Sequence, residues 1–201
     1  MASYAMVIDL QRCLGCYACV VACEQTHALP PGTRWGRVLK REVGHYPNER
    51  VYYLPVQCQQ CENPPCVDVC PTGATYQDER GVVQVDQDKC MGCRYCEAAC
   101  PYGARSLVKS LEGYWPESGL TEFEQSGYGS YTRGVVSKCD FCEDRVAHGL
   151  EPQCVLNCPG LARTFGDRDD ATSEVSRKLV ERTPARLLEN LGTQPKVFYL
   201  L

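Results

Sequence analysis

Residues 90–101 read Cys90-Met91-Gly92-Cys93-Arg94-Tyr95-Cys96-Glu97-Ala98-Ala99-Cys100-Pro101. The pattern C-x2-C-x2-C-x3-C sets three thiols on one tight loop and the fourth about one helical turn further on. Such a loop can wrap three thiolates around three irons of a cubane before the chain must leave. In two-cluster bacterial ferredoxins the fourth cysteine of the run ligates the other cluster, and a proline follows it. Outward from this stretch the rhythm recurs three times. Cys13, Cys16, Cys19 and Cys23 repeat the spacing; Cys58, Cys61, Cys66 and Cys70 widen the middle gap to four residues; Cys139, Cys142, Cys154 and Cys158 widen it to eleven. Pro71, Pro101 and Pro159 follow three of the closing cysteines, whereas Glu24 follows Cys23, so the proline is dispensable for ligation in the first group.

All 16 cysteines of the 201 residues fall in these four groups. About one residue in twelve as cysteine points to a covalent or metal framework and argues against an ordinary hydrophobic-core enzyme domain. The 44% hydrophobic fraction already counts those cysteines, and the chain has two Trp and four Phe. Two other frameworks compete. Disulfides suit short secreted chains, and the N-terminus lacks an apolar export segment. Structural zinc wants two C-x2-C hooks per tetrahedron, and three cysteines within seven residues crowd one ion. Iron–sulfur ligation fits best, and four thiolates per cubane then predict four [4Fe-4S] clusters with no spare thiol for nucleophilic catalysis. Each oxidised cubane with its thiolates carries about −2, which adds roughly eight negative charges. Arg12, Lys89, Arg94, Lys138 and backbone N–H groups are the candidates to offset them.

The formal charge of −4, from 21 Lys plus Arg against 25 Asp plus Glu, offers no basic field for nucleic acid. The longest strictly apolar run, Cys19-Val20-Val21-Ala22-Cys23, is far short of the about 20 residues that cross a bilayer. Neither direct membrane insertion nor an export signal of its own is expected. Nucleotide-binding, metalloprotease and serine-hydrolase motifs are missing. His27, His45 and His148 are scattered and read as ordinary surface or core histidines, and no catalytic residue is expected.

The expected fold is α+β, built from two bacterial-ferredoxin-like modules with short strands and helices around two cubanes each. Groups two and three lie close together, so residues 58–108 form an inner module, while groups one and four pair across the chain as an outer module of 1–57 with 135–170. A polar turn, Asp78-Glu79-Arg80-Gly81, predicts a hairpin between 75–77 and 82–85. Further strands are expected at 4–8, 51–54, 106–108 and 135–137, and helices at 18–25 and 94–99. Residues 109–134 show neither a 3.6 nor a 2.0 period and read as an insertion loop. Tyr114, Trp115, Tyr128 and Tyr131 make it either a flap over its own domain or an arm for a partner. Ala171, Val175, Leu179 and Val180 predict a helix after Asp169-Asp170. The strand-like tail 196–201 must dock, internally or on another subunit.

The residues around the cysteines resemble a known family. Residues 4–23, 58–74, 90–105, Lys138-Cys139-Asp140-Phe141-Cys142, Arg145, Gly149, Pro152 and Phe165-Gly166-Asp167 are similar to the four-cluster ferredoxin subunits of molybdenum and tungsten oxidoreductases of the dimethyl sulfoxide reductase family. Glu42-Val43-Gly44-His45-Tyr46-Pro47 tilts the resemblance toward the polysulfide and thiosulfate reductase type. The resemblance implies four ligand sets. Cluster one takes Cys13, Cys16, Cys19 and Cys158; cluster two Cys23, Cys139, Cys142 and Cys154; cluster three Cys58, Cys61, Cys66 and Cys100; cluster four Cys70, Cys90, Cys93 and Cys96. Some relatives hold a [3Fe-4S] cluster where tryptophan replaces the second cysteine of group three; Cys93 implies a fourth cubane here. The family implies a non-catalytic relay of single electrons, partnered by a molybdopterin-containing catalytic subunit near the group-one cluster and an integral membrane quinone-reactive subunit near the group-three cluster, or by a soluble donor. It further implies a peripheral place in a membrane-associated complex, on the outer face of the cytoplasmic membrane by co-export with a partner, with the cytoplasm as the alternative. The rival function is a soluble polyferredoxin serving a hydrogenase, carbon monoxide dehydrogenase or formate-hydrogen complex.

Overall fold

A computed structural model describes residues 3–201. In chain order its elements are β1 (Tyr4–Asp9), α1 (Ala18–Thr26), β2 (Gly36–Val43), β3 (Arg50–Gln57), α2 (Pro65–Asp68), β4 (Thr75–Gln77), β5 (Val83–Val85), α3 (Tyr95–Ala99) and β6 (Ser106–Leu107). There follow α4 (Glu122–Tyr128), β7 (Val136–Ser137), α5 (Glu143–Ala147), α6 (Gln153–Leu156), β8 (Arg163–Asp167), α7 (Glu174–Glu181) and β9 (Val197–Leu200). The fold is a small α+β structure of short elements.

The largest sheet grows from β1, whose Ala5-Met6-Val7-Ile8 run is apolar on both faces and therefore needs cover on both. It lies in the middle of the order β8-β1-β9, antiparallel to β8 and parallel to β9. Met6 and Ile8 pack with Phe141, Val155, Val197 and Tyr199, on the side that carries cysteine loops. Ala5 and Val7 pack with Val175, Phe198 and Leu200, under α7. Each large side chain buried this way contributes about 1.5–3 kcal/mol. The apolar tail thus docks internally as β9, with Val197, Phe198, Tyr199 and Leu200 all buried. The residues before it clasp the group-two loop: Lys196 N–H donates to Gln59 O at 2.9 Å, and Thr193 O accepts from Asn63 N–H at 3.1 Å.

Three expectations need correction. The strand expected at 51–54 runs Arg50–Gln57 and pairs over its whole length with β2, a partner whose Lys40-Arg41-Glu42 run hides any alternation. The outer half of this ribbon is exposed on both strands, because it carries its register by backbone bonds and buries little. Helix α7 starts at Glu174, with the Ser173 hydroxyl accepting from Ser176 N–H; Ala171 precedes it and Val180 faces solvent. The insertion 109–134 is not a bare loop: α4 begins with a capping box in which Thr121 and Glu124 satisfy each other's backbone N–H. Its Thr-x-x-Glu signal was present in the sequence.

The insertion folds over its own chain. The Tyr131 hydroxyl donates to His27 O at 2.6 Å, Tyr114 to Leu29 O at 3.3 Å, and Tyr131 is buried with Leu29, Trp35 and Val108. The buried Glu124 carboxylate accepts from Tyr114 N–H, Thr121 N–H and the Thr121 hydroxyl, each at 2.8 Å, and these bonds hold it below the usual carboxylate range. Trp115 and Phe123 remain exposed. The β4–β5 hairpin forms around the predicted turn, with Asp78 accepting from Arg80 N–H and Val82 N–H. The expected strands near 106 and 136 pair with each other as β6 and β7, so one ladder ties the segment before the insertion to the segment after it.

Candidate metal centres

In all four cysteine groups the residue before the second cysteine adopts a left-handed conformation: Gly15 at φ 64°, Gln60 at 46°, Gly92 at 73° and Phe141 at 62°. That reversal bends each C-x2-C segment back on itself and turns both thiols to one side. Tyr17 and Arg94, directly after the second cysteines of groups one and three, are also left-handed and start α1 and α3. Three of the four closing cysteines accept backbone donors. Thr75 N–H reaches Cys70 Sγ at 3.3 Å, Ala104 N–H reaches Cys100 Sγ at 3.5 Å, and Ala162 N–H reaches Cys158 Sγ at 3.2 Å.

None of the sixteen cysteines is in a disulfide. Cys16 and Cys93 are exposed, whereas Cys58, Cys61, Cys66, Cys96 and Cys142 are buried and the rest lie between. Their electrostatic neighbourhoods cross between groups. Burial pushes the Cys13 thiol up, with Cys19 and Cys158 adding to it, and a cavity is lined by Cys13, Cys16, Cys19 and Cys158. Cys23 is raised by burial and then by Cys154 and Cys142. Cys61 is pushed up to about 12 by burial, then by Cys58, Cys66 and Cys100. Cys96 is raised by burial, then by Cys90, Cys70 and Cys93. Iron takes these cysteines as thiolates, so binding it releases their protons. Cys139, raised by burial, feels both Cys23 and Cys58 and stands where groups four and two meet. Across that junction Gln60 donates to Cys139 O at 2.8 Å and accepts from Val83 N–H at 2.8 Å. Among the described residues no three His, Cys, Asp or Glu side chains converge on a single ion.

A family of 4Fe-4S dicluster domains matches residues 49–112 and 126–168, stepping over part of the insertion, and a second 4Fe-4S dicluster family matches residues 12–74. A protein of Halobacterium salinarum, provisionally named as an iron–sulfur subunit of dimethyl sulfoxide reductase, is 44% identical across 100% of this chain and 79% of its own length. A selenate reductase subunit of Mesobacillus selenatarsenatis is 41% identical over 98% of this chain and 71% of its own. The arsenate respiratory reductase iron–sulfur subunit of a Shewanella species is 35% identical over 97% and 94%. The chain belongs to the iron–sulfur subunits of the dimethyl sulfoxide reductase family. As such an iron–sulfur subunit it carries four [4Fe-4S] clusters, two per dicluster domain, and moves electrons without a catalytic site of its own.

The side chains of this iron–sulfur subunit fit that cofactor. Arg105 and Arg163 are buried, and among the described residues neither forms an ion pair with a carboxylate. Arg105 donates to Cys66 Sγ at 2.7 Å and to the Thr75 hydroxyl at 3.3 Å. Arg163 donates to Gln57 Oε1 at 3.3 Å and approaches Cys154 Sγ at 3.8 Å. A buried cation without an anion is destabilising by several kcal/mol, about 3–5 when a partner is removed, so these guanidiniums call for anionic sulfur.

They also correct the sequence-based choice of compensating charges. Lys89 and Arg94 are taken by Asp86 and Glu97 at the surface, at 2.8 and 2.7 Å, and Arg12 is exposed. Of the four, Lys138 alone is buried, donating to Cys139 O at 2.8 Å. The readable signal for the true pair was an Ala-Arg dipeptide at the same offset after two closing cysteines: Ala104-Arg105 after Cys100 and Ala162-Arg163 after Cys158. His27 is likewise no ordinary histidine. Its Nε2 lies 3.2 Å from Cys142 Sγ, its ring lies tilted against Trp35 with centroids 4.5 Å apart, and burial lowers its pKa. His45 is exposed, and His148 is exposed with its Nδ1 2.6 Å from Asp144 O.

Proposed function

We propose that the chain relays single electrons along four cubanes between a quinol-linked membrane subunit or soluble donor and a molybdopterin-containing catalytic subunit. Its ligand sets are Cys13, Cys16, Cys19 and Cys158; Cys23, Cys139, Cys142 and Cys154; Cys58, Cys61, Cys66 and Cys100; and Cys70, Cys90, Cys93 and Cys96. The two modules of the sequence expectation are the halves that these crossed sets define. The carrying observation is that thiols of different groups are neighbours while one thiol at each rim is exposed: Cys16 is exposed, Cys154 feels Cys19, Cys139 feels Cys58, Cys66 and Cys96 share one buried cluster, and Cys93 is exposed. A bound cubane supplies the chemistry, a one-electron change of iron valence without making or breaking protein bonds. The chain holds the spacing, excludes water from the middle of the line and opens it at both ends.

The exposed ends suit two partners, with the group-one end assigned to the catalytic subunit and the group-three end to the membrane subunit. No helix among the described residues is long and apolar enough to cross a membrane. The chain is assigned a peripheral place on the outer face of the cytoplasmic membrane, reached with an exported partner. The relatives, named as reductase subunits, favour such a complex over a free polyferredoxin. Anaerobic purification of the native complex tests this. About sixteen irons per chain and a co-purifying molybdopterin subunit are expected. Far less iron, or a nickel enzyme in its place, would overturn it. Replacing Cys158→Ser should damage the EPR signal of the Cys13, Cys16 and Cys19 cluster more than that of the Cys139, Cys142 and Cys154 cluster; the opposite order defeats the crossed sets.

A further inference from the structure

We propose that Arg105 and Arg163 are a matched pair of potential-setting residues, each raising the reduction potential of the clusters in its own half of the electron line. The assignment rests on the ligand sets above. Both arginines follow an alanine whose N–H binds the closing cysteine of the preceding group, Ala104 on Cys100 and Ala162 on Cys158. That bond fixes the backbone from which each side chain departs. Both are buried, at 5% and 7% exposure, so water screens their charge weakly. Each points at the third cysteine of a group, Cys66 or Cys154. Each also sits in the field of a second group, since Cys96 bears on Arg105 and Cys19 on Arg163. In each half one guanidinium therefore touches one thiol set and lies within the field of a second.

An electron that enters a set as it leaves its neighbour raises the local negative charge by one, and a fixed buried cation stabilises that reduced state over the oxidised one. The arginines themselves break no bond and accept no electron. The same offset in the other two groups is neutral: Thr75 follows Ala74 after Cys70, and Ala28 follows His27 after Cys23. Thr75 accepts from Arg105, which helps hold the guanidinium in place. Each half thus has one arginine set directly against a thiol, held by the chain and not by solvent ions.

The test is an EPR-monitored potentiometric titration of the anaerobically purified complex. Arg105→Met should favour oxidation of the Cys66 cluster at least tenfold, about 59 mV for a one-electron couple, and leave the group-one cluster unmoved. Arg163→Met should lower the potential of the Cys154 cluster by a similar factor and leave the group-three cluster unmoved. Full iron with unmoved midpoints, or a change confined to the far half, overturns the proposal. Should a Met variant lose iron, the charge-retaining Arg105→Lys and Arg163→Lys variants decide. Lysine variants with full iron and midpoints within about threefold of the parent support a tuning charge. Lysine variants that also lose iron, or that show the tenfold fall, overturn it in favour of a structural role. A parent complex without iron defeats the proposed function, whereas a loaded parent whose variants do not shift defeats this inference alone.

Discussion

The cysteine loops of groups one and three and those of groups two and four solve the same backbone problem in opposite ways. Groups one and three place glycine at the left-handed position before the second cysteine, and their second thiols, Cys16 and Cys93, are exposed. Groups two and four place Gln60 and Phe141 there, fully buried, with Cys61 and Cys142 buried beside them. Glycine at the rim is demanded from outside: a Cβ on Gly15 would lie 2.4 Å from the Tyr53 ring, and one on Gly92 would lie 2.1 Å from Gly134 O. In the middle the left-handed turn costs a side chain about 1–2 kcal/mol, which burial and hydrogen bonds offset. Gln60 stitches group two to group four, and Phe141 packs under β1. The same turn serves close approach at the ends of the line and cohesion at its centre.

The strongest way to break this contrast is Gly92→Ala. The new methyl meets backbone on the far side, so the group-three loop has to open, and the variant is expected to lose about four irons, one cubane, read by iron assay and EPR. Gly15→Ala meets only a tyrosine ring and should retain more iron, with Tyr53→Ala restoring what it loses. Next in size, Phe141→Ala removes a buried aromatic without relieving the turn and should cost about 3–5 kcal/mol, seen as a lower denaturant midpoint for loss of the visible chromophore. The smallest effect is expected of Gln60→Gly. It relieves the turn by about 1–2 kcal/mol but strips both Val83 N–H and Cys139 O of their partner, at about 1–3 kcal/mol for each group left unpaired, so a net fall in the same midpoint is expected. A Gln60→Gly variant more stable than the parent would show that the central stitch is dispensable.

Local signals carried far in the sequence. Cysteine spacing, the Asp78-to-Gly81 turn, the two-faced β1 run and the apolar tail each depend on neighbours a few residues apart, and each is where spacing and period put it. Helix α4 was equally legible through Thr121 and Glu124, although its short length hides any period. What escaped was set by distant contacts. Strand β2 is charged along its exposed half and is recognisable only opposite β3. Arg105 reaches a thiol 39 residues back, and His27 one 115 residues ahead, so no window of sequence holds both partners. Lys89 and Arg94 drew notice because they adjoin cysteines in the chain, yet local carboxylates claim both.

The position of β1 between β8 and β9 also bears on how the molecule is made. Its nearer cover, β8, follows about 150 residues later in the chain. At ribosomal speeds of about 5–20 residues per second, a strand greasy on both sides waits about 8–30 s for its first strand partner. During that interval its open edges can pair with the same strand of another nascent copy, a hazard that comes from the order of the strands along the chain.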